Sequence, residues 1–311
     1  MAKVHGIVDY SFLYYKYVFS LESGRMRRLS TIYDDGVVAR EKDISKIYYS
    51  MREIEGFRRG LENQNLDVTM SICFDMPSKR KATEKIEGAK GYKSNRAKKL
   101  NEEDFNDISL VMELLSEAGH NTYRLDGYEA DDIVFHLINK YADEFDYNII
   151  YTPDADLLVN IKDNVAVYRY KTRGGYSVVN RNNFEQYLSN EMKCRIPYNS
   201  LMLAKSTIGD KSDNIDGINR FGPKAFDKLV DHLESRGIDW CNYNNYENTL
   251  KLINSLDGYL KEDQIIQAIE SLSLVRPMII ADDMIKEPIK KSSRDLREKS
   301  YMKLDMKSLV D

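Results

Sequence analysis

Three short apolar runs, KVHGIV at residues 3–8, VTMSICF at 68–74 and YNIIYT at 147–152, each end at or beside a carboxylate, and no other feature constrains the fold as tightly. Such β-branched, nearly unbroken runs suit strands buried on both faces, as in a parallel sheet covered by helices. Between them lie helical patterns at 105–118 and at 130–142, the second apolar at Ile133, Val134, Leu137, Ile138 and Tyr141. Alternating strands and helices predict an α/β fold with a mainly parallel central sheet and flanking helices. Sites in such sheets form outside the carboxyl ends of the strands. Asp9, Asp75 and the pair Asp154 and Asp156 follow the three runs, so the fold predicts that they meet at one edge.

Two more acid groups stand out: Glu129, Asp131 and Asp132 in DGYEADD, and Asp210 and Asp213 in IGDKSDN. Each acid has a local reading. Asp126 and Glu129 read as a capping box, Asp131 and Asp132 as first-turn acids favoured by a helix dipole, Asp154 as a turn residue, and Asp210 and Asp213 as Asx-turns around Gly209. Taken together, the nine acids would repel one another without a counter-ion, and hard cations such as Mg²⁺ take oxygen ligands of this kind. Two such ions roughly 4 Å apart activate water and stabilise a leaving oxygen in phosphodiester hydrolysis. That chemistry needs no nucleophilic side chain. His5, His120, His136 and His232 show no metal or catalytic spacing, and G-x-S-x-G is absent. The acids also lack the D-x-D-x-D-G spacing of a Ca²⁺ loop.

The net charge of −4 hides an uneven distribution. Residues 79–99 hold nine basic side chains (Lys79, Arg80, Lys81, Lys85, Lys90, Lys93, Arg96, Lys98 and Lys99) against Glu84 and Glu87 alone. A lysine-rich stretch is usually a solvated loop, but Tyr92 among Lys93, Asn95 and Arg96 adds a ring that can stack on a base between cations that hold phosphates. From about Pro197 the pattern turns to helices and loops. A helix at 198–207 leads into the Gly-rich IGDKSDNIDGINRFG, and Pro223 opens a second helix at 223–235. A turn of this kind aims backbone N–H groups and a helix N-terminus at phosphate without reading bases, with Lys211, Arg220 and Lys224 adding charge.

The chain length of 311 residues and a 42% hydrophobic share allow one large domain with a smaller appendage. We expect a core over 1–196 that includes a basic arch at 79–104, a duplex-binding subdomain over 197–275, and a charged extension over 276–311 that is either a docked helix or a partner-binding end. No run approaches the roughly 20 apolar residues of a membrane span, and the start lacks a signal peptide's apolar region, so a cytoplasmic monomer is expected. Cys73, Cys194 and Cys241 are far apart and read as reduced thiols.

DGYEADDIV, TPDADLL and GDKSDNIDGINRFGPKA, in that order and with Y-K-x-N-R at 92–96 upstream, resemble the 5′-nuclease or flap endonuclease family, and its phage 5′–3′ exonucleases that remove RNA primers in particular. The resemblance covers roughly residues 4–275. It implies a Mg²⁺-dependent nuclease, with Mn²⁺ as a substitute, in which Asp9, Asp75, Glu129, Asp131 and Asp132 serve one ion and Asp154, Asp156, Asp210 and Asp213 the other. It further implies that Lys93 and Arg96 hold the scissile phosphate and a threaded 5′ end, with Tyr92 and Lys16 as further contacts. The hairpin, with Lys211, Gly217, Arg220, Gly222 and Lys224, resembles the family's helix–three-turn–helix, which implies duplex binding and a K⁺ ion. Implied substrates are DNA with free 5′ ends, flaps, nicked or gapped duplex and RNA–DNA hybrid; implied partners are a polymerase or a single-strand-binding protein. A non-catalytic DNA-binding accessory protein and a PIN-like ribonuclease are the rival readings, and the retained acids and the Gly-rich hairpin weigh against them in turn.

Overall fold

The structure is a computed structural model and describes residues 1–34, 39–79, 93, 100–171, 175–243, 245–285 and 289–310. A six-stranded sheet runs β5-β4-β1-β6-β7-β8. Its centre is β1 (Lys3–Asp9), paired in parallel with β4 (Asp67–Phe74) on one side and β6 (Tyr147–Thr152) on the other. The parallel strands β5 (Asn121–Arg124) and β7 (Val165–Lys171) flank them, and β8 (Gly175–Val179) closes one edge in the antiparallel sense. A separate antiparallel hairpin joins β2 (Ser30–Asp34) and β3 (Ala39–Asp43). The three central strands are the three apolar runs.

Alternation along each strand feeds two hydrophobic layers, because successive side chains point to opposite faces. Val4, Val8, Val68, Met70, Ile72, Phe74 and Tyr151 pack on one face, beneath α1 (Ser11–Glu22), α2 (Ser45–Glu62) and α3 (Glu102–Glu117). Ile7, Cys73, Ile150 and Val167 pack on the other, under α4 (Ala130–Tyr141), whose buried Ile133, Val134, Leu137 and Ile138 follow the helical period seen in the sequence. α3 begins earlier than expected because Asn101 and Asp104 form a capping box.

After α5 (Phe184–Met192) the chain is helical: α6 (Leu201–Ile208), α7 (Pro223–Ser235), α8 (Tyr246–Asn254) and α9 (Glu262–Val275). Their apolar faces join the α4 side of the sheet, so one hydrophobic cluster extends from Ile7 to Ile285 and no break in packing marks the boundary expected after residue 196. Of the expected arch at 79–104, only Lys79, Lys93 and residues 100–104 are described; Tyr92 and Arg96 lie outside the described residues. No described helix is long and apolar enough to cross a membrane. All three cysteines are free, Cys73 and Cys194 buried and Cys241 exposed.

The C-terminal extension docks. Ser293 caps α10 (Arg294–Tyr301) by accepting from the Leu296 N–H, and Tyr301, Leu304, Met306 and Leu309 complete the layer over α2 and α3. The anchor is polar. Tyr301 donates to buried Glu55 Oε1 at 2.5 Å, His120 Nε2 lies 2.7 Å from the same oxygen, and Arg58 donates to Oε2 at 2.6 Å. Burial pushes the Glu55 carboxyl up, but these contacts outweigh it and hold the group down to about 2. Folding is therefore stabilised by its ionisation above the unfolded value near 4.5, and that stabilisation drains away as pH falls toward about 2. Glu55→Ala should cost roughly 3–5 kcal/mol, because it strands buried partners, and should flatten the acid limb of stability against pH. Urea melts of both proteins from neutral to acid pH measure this; coincident curves would show that the network contributes no net stability.

Candidate active site

The acids expected at one sheet edge do meet there, on the wall of an open cleft of about 1770 Å³ between that edge and the α6–α7 hairpin. Asp9 is the last residue of β1, Asp75 follows β4, Asp154 follows β6 through Pro153, and Asp131 stands in the first turn of α4. Parallel register sets this convergence: Asp9 is level with Cys73 on β4, and Val8 with Tyr151 on β6. Hydrogen bonds fix the carboxylates. Asp75 Oδ1 accepts the Ala130 N–H at 2.7 Å, tying β4 to the start of α4; the Thr152 hydroxyl donates to Asp9 Oδ2 at 3.0 Å; Asp154 Oδ1 accepts the Asp156 N–H at 2.9 Å.

Among the described residues no lysine, arginine or histidine lies within ion-pair distance of Asp9, Asp75, Asp131 or Asp154. Burial, then the charges of Asp75 and Asp154, push Asp9 up to about 8. Asp131 is raised well above the carboxylate range by burial and by Asp154 and Asp9, against a smaller opposing pull from Lys93. Like charges confined together in this way want a cation. Among the described residues no three His, Cys, Asp or Glu side chains close on a point as a finished cage. The donor set is open and all oxygen, and it suits Mg²⁺, which binds through a few carboxylates and keeps water for the rest of its shell.

The other five acids are placed differently. Asp156 and Asp210 share the Lys205 ammonium, 2.6 Å from Asp210 Oδ2. Burial pushes Asp210 up, yet Lys205 and Ser212 bring it below its ordinary value. Glu129 Oε1 accepts from Lys93 at 2.7 Å, and Asp213 Oδ2 lies 3.6 Å from the same ammonium. Lys93, in the left-handed region at φ 55°, is also pinned by its own N–H to the Asp213 carbonyl at 3.0 Å. Asp132 is fully buried and off the cleft: Oδ2 accepts the Glu129 N–H at 3.0 Å and Oδ1 the Met278 N–H at 2.7 Å. In place of the expected ligand, Asp132 is a helix cap that also fastens residue 278. The capping box falls at Glu129 and Asp132, three residues beyond the pair Asp126 and Glu129 read from the sequence.

Lys211, Gly217, Arg220 and Gly222 line the cleft on the hairpin side; Lys224 does not. Two glycines make the turn possible. At Gly217, with φ +67°, a Cβ would lie 2.4 Å from the Gly209 nitrogen, and at Gly209, with φ +93°, a Cβ would meet carbonyl oxygens at 2.6 Å. Gly222 precedes Pro223 as the N-cap of α7, leaving that helix's N-terminus at the cleft. Lys16 is engaged elsewhere, pairing with Glu53 at 2.6 Å and lying 4.2 Å from the Tyr170 ring centre. The cleft wall also carries Arg169 and Lys205, which the sequence reading passed over. Arg169 sits in VAVYRYK, an alternating strand signal; Lys205 interrupts an apolar helix, where a charge needs a partner.

Residues 7–189 match the family described as the 5′-3′ exonuclease, N-terminal resolvase-like domain. Relatives include the 5′-3′ exonucleases of Bacillus subtilis (strain 168), 32% identical over 52% of this chain and 52% of that protein, and of Aquifex aeolicus (strain VF5), 32% identical over 50% and 49%. The chain thus spans about half the length of these curated relatives. The T5 D15 protein co-crystallized with metal ions superposes with a TM-score of 0.57 over 99% of this chain and 100% of that one, and at 17% identity the likeness concerns the fold. With a matched stretch that runs from within β1 to within α5 and takes in seven of the nine acids, the chain belongs to the 5′-3′ exonuclease family.

Proposed function

We propose that the protein is a Mg²⁺-dependent, structure-specific 5′-nuclease that hydrolyses phosphodiesters in DNA bearing free 5′ ends or flaps, and in the RNA of RNA–DNA hybrids, during replication or repair. The observation that carries this reading is the group of four carboxylates with no internal cation among the described residues, set at the carboxyl edge of the sheet and faced by a helix N-terminus. Asp9, Asp75, Asp131 and Asp154 would hold one ion, and Asp156, Asp210 and Asp213 a second. Grouping Asp154 with the first set follows its coupling to Asp9 and Asp131. When bound, the two ions supply a metal-activated water as nucleophile and stabilisation of the leaving oxygen. Metal binding by the T5 D15 protein agrees with this reading.

The chain's own groups do the positioning. Neither histidine nor cysteine is among the described residues lining the cleft, so its hydroxyls have no imidazole base beside them, which agrees with water as the attacking group. The α7 N-terminus and the Gly209–Gly222 turn present backbone N–H groups to a phosphate run, with Lys211 and Arg220 supplying charge and no base readout. Lys93, held at the cleft by Glu129 and Asp213, exchanges those acids for the scissile phosphate. Arg96 and Tyr92 would complete the grip on the 5′ strand, and the hairpin would hold a K⁺ ion. Cytoplasmic location and work alongside a polymerase or single-strand-binding protein follow from such a role.

The decisive assay offers 5′-labelled flap, nicked duplex, RNA–DNA hybrid and a closed single-stranded circle with Mg²⁺ or with EDTA. Mg²⁺-dependent cutting confined to free 5′ ends is expected; binding without cutting would leave an accessory protein, and an equally cut circle would remove the requirement for a 5′ end. Lys93→Ala should lower single-turnover rates by about 10²–10³-fold, the scale of one lost transition-state donor, with flap affinity little changed. A change confined to affinity would refute the role given to Lys93.

Asp9 offers a test free of substrate. Its folded value of about 8 exceeds the ordinary 3.8, so the part of metal-free stability that depends on Asp9 is fully present below about pH 4 and is lost as pH rises through 8. Asp9→Asn should remove that slope and melt higher than wild type in EDTA at about pH 8, while losing most of the gain from Mg²⁺, which in wild type is about 2.7 kcal/mol at a hundredfold excess over Kd. Thermal melts with and without Mg²⁺ decide it; an unaltered Mg²⁺ response in the variant would exclude Asp9 as a ligand.

A further inference from the structure

We propose that Lys205 is a resident counter-cation for the Asp156 and Asp210 pair, and that a divalent ion reaches these carboxylates by displacing its ammonium, so that Lys205 sets the affinity of the second ion. The inference rests on the metal reading above and adds an internal competitor to it.

The geometry carries it in three steps. First, Lys205 belongs to α6, whose residues Leu201 to Thr207 are all buried, and it is itself only 8% exposed. A buried ammonium must be paired. Its partners come from two separate segments, the turn after β6 and the turn after α6, so one side chain bridges the walls of the cleft at this level. Second, the acceptors of Asp210 are already spoken for: Oδ1 takes the Ser212 N–H at 2.9 Å and Oδ2 takes Lys205 at 2.6 Å. An ion that binds through Oδ2 meets the ammonium there, and repulsion between the two cations drives the ammonium off. Third, the neighbouring group of Asp9, Asp75, Asp131 and Asp154 has no such ammonium among the described residues. The two halves of one acid site therefore differ in kind, one awaiting a cation and the other supplied with one. Lys205 lines the open cleft, so its flexible four-carbon stem has room to carry the displaced ammonium outward.

Mn²⁺ binding to the full chain, followed by the electron paramagnetic resonance of the free ion, tests this in wild type, Lys205→Met and Asp156→Asn. Wild type should show two classes of site, with Asp156→Asn losing the weaker. In Lys205→Met that weaker class should tighten by at least about tenfold, the worth of one charge-assisted hydrogen bond, with the stronger class unmoved. The same variant should melt lower than wild type in EDTA and recover in Mn²⁺. A folded Lys205→Met whose weaker class is unchanged or looser overturns the proposal and leaves the metal reading standing; a wild type that binds no Mn²⁺ overturns both. A second measurement needs no variant. Amine acylation of wild type, mapped by mass spectrometry, should spare Lys205 in EDTA and label it once both Mn²⁺ sites fill; equal labelling in the two states, with both ions bound, also overturns the proposal.

Discussion

Repulsion among carboxylates gathered at one sheet edge is the constraint around which this molecule is arranged. Asp9, Asp75 and Asp154 arrive at one place because parallel strands in register end together, and Asp131 joins them because α4 starts where Asp75 can accept the Ala130 N–H. Gathering like charge at one point works against folding. The rest of the fold supplies what tolerates it: both sheet faces are sealed by apolar layers, and the surplus acids nearby are each given an internal ammonium, Lys93 for Glu129 and Asp213, Lys205 for Asp156 and Asp210. Asp132 is held by backbone N–H groups instead, and among the described residues the cleft acids Asp9, Asp75, Asp131 and Asp154 have no ammonium within ion-pair distance.

The α6–α7 hairpin gives that charge a purpose. It forms the opposite wall of the cleft, and its sharp turn depends on Gly209 and Gly217 packing backbone on backbone, with no space for a side chain at either position. A wall built from main chain presents N–H groups that read phosphate and ignore bases. Acids on one wall and a turn of main chain on the other fit a reaction at the nucleic-acid backbone, in keeping with the family to which the chain belongs.

Much of this was legible in the sequence, for identifiable reasons. Strands buried on both faces write themselves as apolar runs, so β1, β4 and β6 are visible in the sequence, and the acids at their ends are predicted to converge. Helices with a clear apolar stripe, α4 and α7, were placed within a residue of their ends. What escaped were features decided by pairing. β5 has four residues and no pattern of its own; β8 is mostly exposed; Asp132 carries the same charge as Asp131, one residue away on the same helix, yet faces the opposite way into a cap. Lys205 was hidden for a related reason: a lysine in a helix reads as its wet face until the neighbours show that α6 has none. The fate of the C-terminal extension turned on whether Tyr301 could find a buried carboxylate, and Glu55 lies 246 residues upstream.

That last contact bears on the order in which the molecule can be completed. The layer covering the α1–α3 side of the sheet is assembled from residues near both ends of the described chain, Val4 to Val18 at one and Tyr301 to Val310 at the other. A chain emerging from the ribosome can pair β1 with β4 and β6 well before Tyr301 exists, but Glu55, Arg58 and His120 must wait, solvated, for their final partner. Contacts so distant in sequence slow closure. The acid-bearing edge draws on residues 9–154, whereas the layer on the α1–α3 side of the same sheet cannot close until residues 301–310 have been made.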